Sequence, residues 1–387
     1  MPSNKTVVQT MSQQSPIRTL GPVSAFALGS GTEPEGHPAG KPIDLGLGEP
    51  TRDPFSGALA WASLGVQGVN HYYPALGLDK LRSLIMERYY PKVGTDDHTV
   101  LVTHGAINGL DLIFRAFVTP GDEVLVADTG FPPYLKLAQF ARASLKTYSL
   151  RGDASGFHFN VRSIIDGLTP RTRVLIVNAP HNPTGACLDE RQIRQLRRAL
   201  DNYPNVLLVS DEVYSEVLIG ASQHLTLGGL SDRCLVVNSF SKSLALQGFR
   251  VGWILAPNSL GEALVPFFTN AIGAVSSLGQ EIALRALSGS TGAASNYRRS
   301  VQLVSGILDD YGISYLMPAG GFFILIKVRD DMRACVGLRQ LGVTVVPGSG
   351  FGHATRGWIR ACFAKDDETL VAGFSRLAAG LIKLGEV

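Results

Sequence analysis

Short apolar, β-branched runs that alternate with helical stretches constrain this chain more than any other feature. Thr99–Thr103, Glu123–Ala127, Leu145–Leu150, Val174–Asn178, Val206–Ser210, Leu235–Asn238 and Val251–Ala256 read as strands, and stretches such as Tyr134–Ala143 and Asp189–Leu200 read as the helices between them. Strands this apolar need cover on both faces, which predicts an α/β domain with a largely parallel sheet between helices. Ligands in such sheets sit beyond the carboxyl ends of the strands. Polar residues that directly follow strands are therefore the first candidates for chemistry.

Past Asn270 the rhythm changes. A helical region to about Leu308 precedes strands near Ile313–Leu316, Phe322–Val328, Thr344–Val346 and Trp358–Phe363, with helices at Met332–Leu341 and Glu368–Leu384. This predicts a smaller α+β domain, rejoined by the segment around Ile43. The expected division is an arm over 1–41, a joining segment over 42–55, a large domain over 56–285 and a small one over 286–387. A chain of 387 residues with 45% apolar content can bury two such cores.

Thirty-five Lys and Arg against thirty-two Asp and Glu leave no basic surplus for nucleic acid. No apolar run reaches bilayer length and the first residues lack an apolar h-region, so no membrane partner is expected and the predicted location is cytoplasmic. Cys187, Cys234, Cys335 and Cys362 are scattered without C-x-x-C spacing, which fits reduced thiols and suggests no metal site.

The stretch N-S-F-S-K-S-L-A-L-Q-G-F-R-V-G-W, Asn238 to Trp253, places Lys242 behind Ser239 and Ser241 and eight residues before Arg250. A lysine attacks carbonyls only when uncharged, a state favoured by burial or nearby positive charge. Two hydroxyls and a guanidinium suit a phosphate. Together they suggest pyridoxal phosphate, which proteins hold as a lysine Schiff base. The alternative is a surface lysine in a serine-rich loop. The turn His104-Gly105-Ala106, between a strand and a helix, is a second anion-compatible feature, although such turns also merely connect elements.

Three further clusters follow strands or lie within them. N-A-P-H-N-P-T-G, Asn178 to Gly185, is otherwise a Pro/Gly turn. Asp211 in S-D-E-V-Y is otherwise a helix N-cap, with Tyr214 three residues on. Arg360 in W-I-R-A-C-F is costly to bury, so an internal acid or a substrate anion must face it. Asp211 could pair with a pyridine nitrogen, Asn182 with Tyr214 could hold a ring hydroxyl, and Phe131 could cover a ring face.

With G-L-G-E-P, Y-Y-P-A-L-G-x-x-x-L-R, V-T-H-G-A, G-F-P-P-Y, N-P-T-G, D-E-V-Y, S-F-S-K with Arg250, and R-A-C-F in order from Ile43 onward, the chain resembles the class I/II aminotransferases, fold-type I pyridoxal-phosphate enzymes. The resemblance implies pyridoxal 5'-phosphate anchored on Lys242, Asp211 at the pyridinium nitrogen, and Asn182 and Tyr214 at the ring oxygen. It implies Phe131 stacked on the ring, with Tyr134 left to packing. Ser239, Ser241, Arg250 and the backbone of Gly105 and Ala106 would bind phosphate, helped by Tyr72 from a second subunit of a homodimer. Arg360, with Gly48 beside it and Asn182 close by, would take the α-carboxylate.

The implied reaction moves an amino group between an amino acid and a 2-oxo acid, with Lys242 as proton shuttle. Lyase, cyclase and oxidative or decarboxylating outcomes share the same anchors, because the fold does not choose the reaction. A related subgroup of aspartate aminotransferases carries a lysine near position 107 for a distal carboxylate. Ile107 cannot serve that way, which argues against aspartate and leaves aromatic, aliphatic and basic donors open. A ligand-sensing regulator would need a DNA-binding module that the first forty residues are too few to form. A nicotinamide-binding enzyme would need a G-x-G-x-x-G that is missing.

Overall fold

A computed structural model describes residues 42–50, 69–220, 223–289 and 294–387. The expected 1–41 arm, residues 51–55 of the joining segment and 56–68 of the expected large domain lie outside them. Seven strands form the main sheet: β1 (His98–Thr103), β2 (Glu123–Ala127), β3 (Ser144–Tyr148), β4 (Thr172–Asn178), β5 (Leu207–Asp211), β6 (Cys234–Ser239) and β7 (Gly252–Pro257). Their order is β1-β7-β6-β5-β4-β2-β3. Val174 to Val177 and Leu235 to Val237 are buried along their whole length, which is why these strands read as unbroken apolar runs rather than alternating ones.

Strand β7 lies antiparallel between β1 and β6, while the pairings from β6 through β3 are all parallel. The mixed, mostly parallel sheet matches the expected fold class. The inserted strand brings its starting end, Gly252, level with the finishing ends of its neighbours, Thr103 and Ser239. Space there is tight. A Cβ on Gly252 would lie 2.7 Å from the Asn238 carbonyl oxygen and 2.8 Å from Gly105 Cα, so only glycine lets the strand ends meet.

A second, antiparallel sheet orders Tyr315–Leu316, Phe323–Lys327, Trp358–Cys362 and Val346–Pro347. The helices Asp331–Gln340 and Asp367–Leu384 cover it, and Ile43–Asp44 pairs in parallel with Val343–Thr344 beside them. Each sheet has its own hydrophobic core. One is centred on Leu101, Val124, Ile176 and Trp253, the other on Phe322, Phe363, Phe374 and Leu381.

Three local expectations are corrected. The single strand expected over Leu145–Leu150 divides at Ser149, whose N–H bonds Ser163 Oγ, and the chain continues into a separate hairpin, Leu150–Asp153 with Gly156–Phe159. The helical region expected past Asn270 begins earlier, at Asn258, and comprises Asn258–Ala271, Ser277–Gly289 and Ala294–Asp310. The strand expected over Thr344–Val346 is split between two sheets. Among the described residues no helix is long and apolar enough to cross a membrane.

Gly252→Ala is expected to destabilise the fold by about 1–3 kcal/mol, the usual cost of forcing an extra carbon into a packed site. Denaturant melts of the two proteins check it, with a lowered midpoint expected.

Candidate active site

The carboxyl ends of β4, β5 and β6 deliver Asn178, Asp211 and Ser239 to one edge of the main sheet, and a cavity of ≈ 390 Å³ opens there against the second sheet. Its lining includes Gly48, Ala106, Phe131, Asn182, Asp211, Tyr214, Ser239, Ser241, Lys242, Arg250 and Arg360. Residues from 48 to 360 thus converge on one space. Gly105 stands just behind the lining, against Arg250. Tyr72 does not line the cavity and is 93% exposed.

Lys242 sits on a single helical turn, Phe240–Ser243, that is capped by Ser239, whose Oγ accepts the Ser241 N–H. The cap orients both serines and the lysine. Ser239 Oγ and Ser241 Oγ are 2.7 Å apart, with Ser239 Oγ also 3.1 Å from the Val251 carbonyl. Arg250 adopts the left-handed region (φ 56°) and donates to the Gln247 carbonyl at 2.8 Å. Its guanidinium lies where a side chain at Gly105 would be, 2.6 Å from the ideal Cβ position. That glycine also has φ +72° and opens the helix Gly105–Phe117. A guanidinium, two hydroxyls and the N-terminal end of a helix form a cradle that a Cβ would fill, suited to a phosphate-sized anion.

Lys242 Nζ donates to the Gly48 carbonyl at 2.6 Å. Burial lowers its ammonium to about 8; Arg360 and Arg250 push the same way, while Cys362 and Glu49 oppose them. Asp211 is 3% exposed, and burial pushes its carboxyl up to about 6 despite hydrogen bonds that favour the ionised form. One of these is the Tyr134 hydroxyl, donating to Asp211 Oδ2 at 2.7 Å; another is the Val213 N–H, to Oδ1 at 3.3 Å. The expectation that Tyr134 merely packs is therefore corrected. Its ring meets Phe131 edge-on at 5.6 Å, and its hydroxyl fixes the carboxylate. A positive group brought against Asp211 would favour the ionised carboxylate further.

Among the described residues no acid hydrogen-bonds Arg360. Nη1 donates to Asn182 Oδ1 at 2.9 Å and Nη2 to the Gly46 carbonyl at 2.7 Å, while Nε is buried without a partner. Phe323 and Phe351 lie against the guanidinium carbon, with ring centroids at 3.9 and 4.7 Å. Burial lowers this guanidinium to about 10. Sequence reasoning missed both rings. Their signal is faint, because Phe323 reads as one apolar residue in an apolar strand and Phe351 as one in a glycine-rich turn.

A strap crosses the site. Arg360, Lys242, Lys365 and Gln247 hold, in turn, the carbonyls of Gly46, Gly48, Glu49 and Pro50. The G-L-G-E-P loop thereby lies directly over Lys242. Asn178 braces the floor beneath it, giving its amide to the Asp211 carbonyl and accepting the Asn182 N–H.

Residues 41–377 match the family model described as aminotransferase class I and II. The chain is 29% identical over 335 residues to the probable N-acetyl-LL-diaminopimelate aminotransferase of Bacillus subtilis, covering 83% of this chain and 84% of that protein. It is 31% identical over 326 residues to the arginine–pyruvate transaminase of Pseudomonas aeruginosa, covering 80% and 82%. Among solved structures it is similar to the aspartate aminotransferase of Thermus thermophilus with maleate, at TM-score 0.81 and 27% identity, covering 98% of this chain and all of that one.

The depressed value at Lys242 has a measurable sign. Below about 8 the ammonium is protonated and inert, and above it the free amine can attack. Acylation of Lys242 in the apoprotein, followed by peptide mass spectrometry against pH, should rise with a midpoint near 8. A midpoint at the ordinary lysine value of 10.5 would contradict the burial argument.

Proposed function

We propose, from the premise that this chain belongs to the class I and II aminotransferase family, that it moves an amino group from an amino acid to a 2-oxo acid on pyridoxal 5'-phosphate held at Lys242. Family membership establishes the enzyme class; the residue roles that follow are our assignment. The observation that carries them is a depressed lysine set between an anion cradle on one side and a buried, acid-free guanidinium on the other. The cradle suits the cofactor phosphate, and the guanidinium suits the α-carboxylate of a substrate.

Bound there, pyridoxal 5'-phosphate supplies a carbonyl to take up the amino group and a ring to hold the electron pair released when the α C–H bond breaks. The chain's own residues do the rest. Ser239, Ser241, Arg250 and the N–H groups at Gly105 and Ala106 hold the phosphate. Asp211, kept in place by Tyr134, stabilises a protonated ring nitrogen, so the positive charge that draws electrons is maintained. Asn182 and Tyr214 hold the ring oxygen, and Phe131 covers the ring face.

Arg360 orients the substrate through its α-carboxylate, helped by Asn182 and the backbone at Gly48. Its guanidinium is already dehydrated by Phe323 and Phe351, so an arriving carboxylate replaces the Gly46 carbonyl rather than a water shell. Lys242 Nζ would anchor the cofactor until the substrate amine displaces it, and the amine so freed would take the α-proton and give it back in the next step. Its low value lets one amine serve both tasks near neutral pH. The reading includes a homodimer, supported by Tyr72, which is exposed, does not line its own chain's cavity and would complete the phosphate site of a second copy.

The test is product analysis on the cofactor-loaded protein. Amino donors are supplied with a 2-oxo acid while the new amino acid, ammonia, carbon dioxide and oxygen uptake are followed. One new amino acid per donor consumed, with no gas exchange, is the expected result. Oxygen uptake, decarboxylation or net ammonia release would replace transfer with an oxidative or lyase reaction.

A further inference from the structure

Thr129 is fully buried in the loop that leaves β2, just before the Phe131 assigned to the ring face. Its Oγ1 accepts the Ala354 N–H at 3.2 Å, and the next residue, Gly130, donates its N–H to the Phe351 carbonyl at 2.9 Å. Both partners belong to the loop 348–355, which the second sheet carries between Val346–Pro347 and Trp358–Cys362. Gly352 of that loop lies against the same residues. A Cβ there would meet the Asp128 carbonyl and stand 2.7 Å from both Thr129 Cα and Thr129 Oγ1. The two halves of the site thus meet almost backbone to backbone.

The loop 348–355 presents Phe351 to Arg360, with the ring centroid 4.7 Å from the guanidinium carbon. Phe351 clusters with Val346 apart from both large cores, so its placement leans on hydrogen bonds. From the second half, Asp331 accepts the Ser349 N–H and Thr355 Oγ1 donates to the Gly348 carbonyl at 2.8 Å. Thr129 and Gly130 supply the hold from the main sheet. His181 stands against Gly130, with Nε2 3.6 Å from the ideal Cβ position there and Nδ1 2.9 Å from Thr184 Oγ1. Burial lowers its imidazole to about 3, so this brace stays neutral. Its neighbour Asn182 accepts from Arg360 Nη1. The contacts therefore close a circuit from Arg360 through Asn182 and His181 to the Thr129 loop, and back through Phe351. A carboxylate at Arg360 and a ring beneath Phe131 both favour the same docked arrangement, so each strengthens the binding of the other. We propose, resting on the amino-transfer reading, that Thr129 is a positioning residue that couples carboxylate capture at Arg360 to cofactor binding beneath Phe131.

Reciprocity gives a test that needs no turnover, because the cofactor must change the affinity for an acid by the factor that the acid changes the affinity for the cofactor. Succinate and 3-phenylpropanoate are titrated by calorimetry into the full chain, with and without pyridoxal 5'-phosphate, and the ratio of the two dissociation constants is the coupling. Thr129→Val keeps the shape and removes the acceptor; it is expected to lower that ratio about five-fold or more, and Thr129→Ser to restore it. An unchanged ratio in a Thr129→Val protein with a wild-type thermal melt overturns the proposal, and so does a loss that Thr129→Ser fails to restore. If Thr129→Val does not fold, Gly352→Ala, which pushes the loop 348–355 away with the hydroxyl intact, must lower the ratio instead; an unchanged ratio there overturns the proposal. Arg360→Met separates the proposal from its premise. If neither acid binds the loaded wild type, or if binding survives Arg360→Met, the carboxylate role of Arg360 fails and the proposal with it. Binding that is lost in Arg360→Met yet coupled as before in Thr129→Val leaves amino transfer standing and removes the role of Thr129 alone.

Discussion

Two cations whose hydrogen-bond partners among the described residues include no carboxylate, the half-buried Lys242 and the buried Arg360, set the terms for the rest of this structure. A desolvated cation is expensive, and the chain meets that cost with backbone carbonyls, one amide oxygen and aromatic faces rather than with acids. The choice has a chemical result. An acid beside Lys242 would hold it protonated, and one beside Arg360 would occupy the place of a substrate carboxylate. Carbonyls are weak enough to be displaced, so the cations stay ready for ligands while the G-L-G-E-P strap is kept closed over them. The reverse arrangement holds at Asp211, an acid buried among neutral donors and therefore receptive to a positive partner.

Topology brings these groups together. Six strands that run the same way finish at one edge, and an antiparallel strand enters between two of them so that its own start lies there as well. That reversal carries Arg250 to the same edge as Ser239 and the N-terminus of the helix Gly105–Phe117. Gly105 and Gly252 are the small residues that make the approach possible, one for the guanidinium and one for the backbone. The second sheet then supplies Arg360 and Phe323 from adjacent strands, whose register sets Arg360 opposite Leu325. Two separate cores thus hold the two halves of one site, with Gly46 to Pro50 strung between them.

Much of this was legible in the sequence. Unbroken apolar runs such as Val174–Asn178 mark buried parallel strands, and residues just past their ends, Asn182, Asp211 and Lys242, do meet in one cavity. Less legible were features that depend on contacts far apart in the chain. The Tyr134 hydroxyl reaches Asp211 across 77 positions, and no local pattern distinguishes it from a packing tyrosine. Phe323 and Phe351 look like ordinary apolar residues until folding lays them against Arg360. The direction of Gly252–Pro257 was hidden for a related reason, since burial on both faces makes parallel and antiparallel strands read alike. For Arg360 the sequence left two partners open, and the absence of an internal acid among its partners is what favours a substrate anion.

If pyridoxal phosphate is held as proposed, Lys242 is the one amine that carries it. Reduction of the pyridoxal-phosphate-loaded protein with borohydride, followed by peptide mapping by mass spectrometry, tests it most directly. A single modified peptide containing Asn238 to Arg250 is expected, with the added mass on Lys242 and none on Lys365 or the surface lysines. Label spread over several lysines, or a Lys242 peptide that stays unmodified, would contradict it.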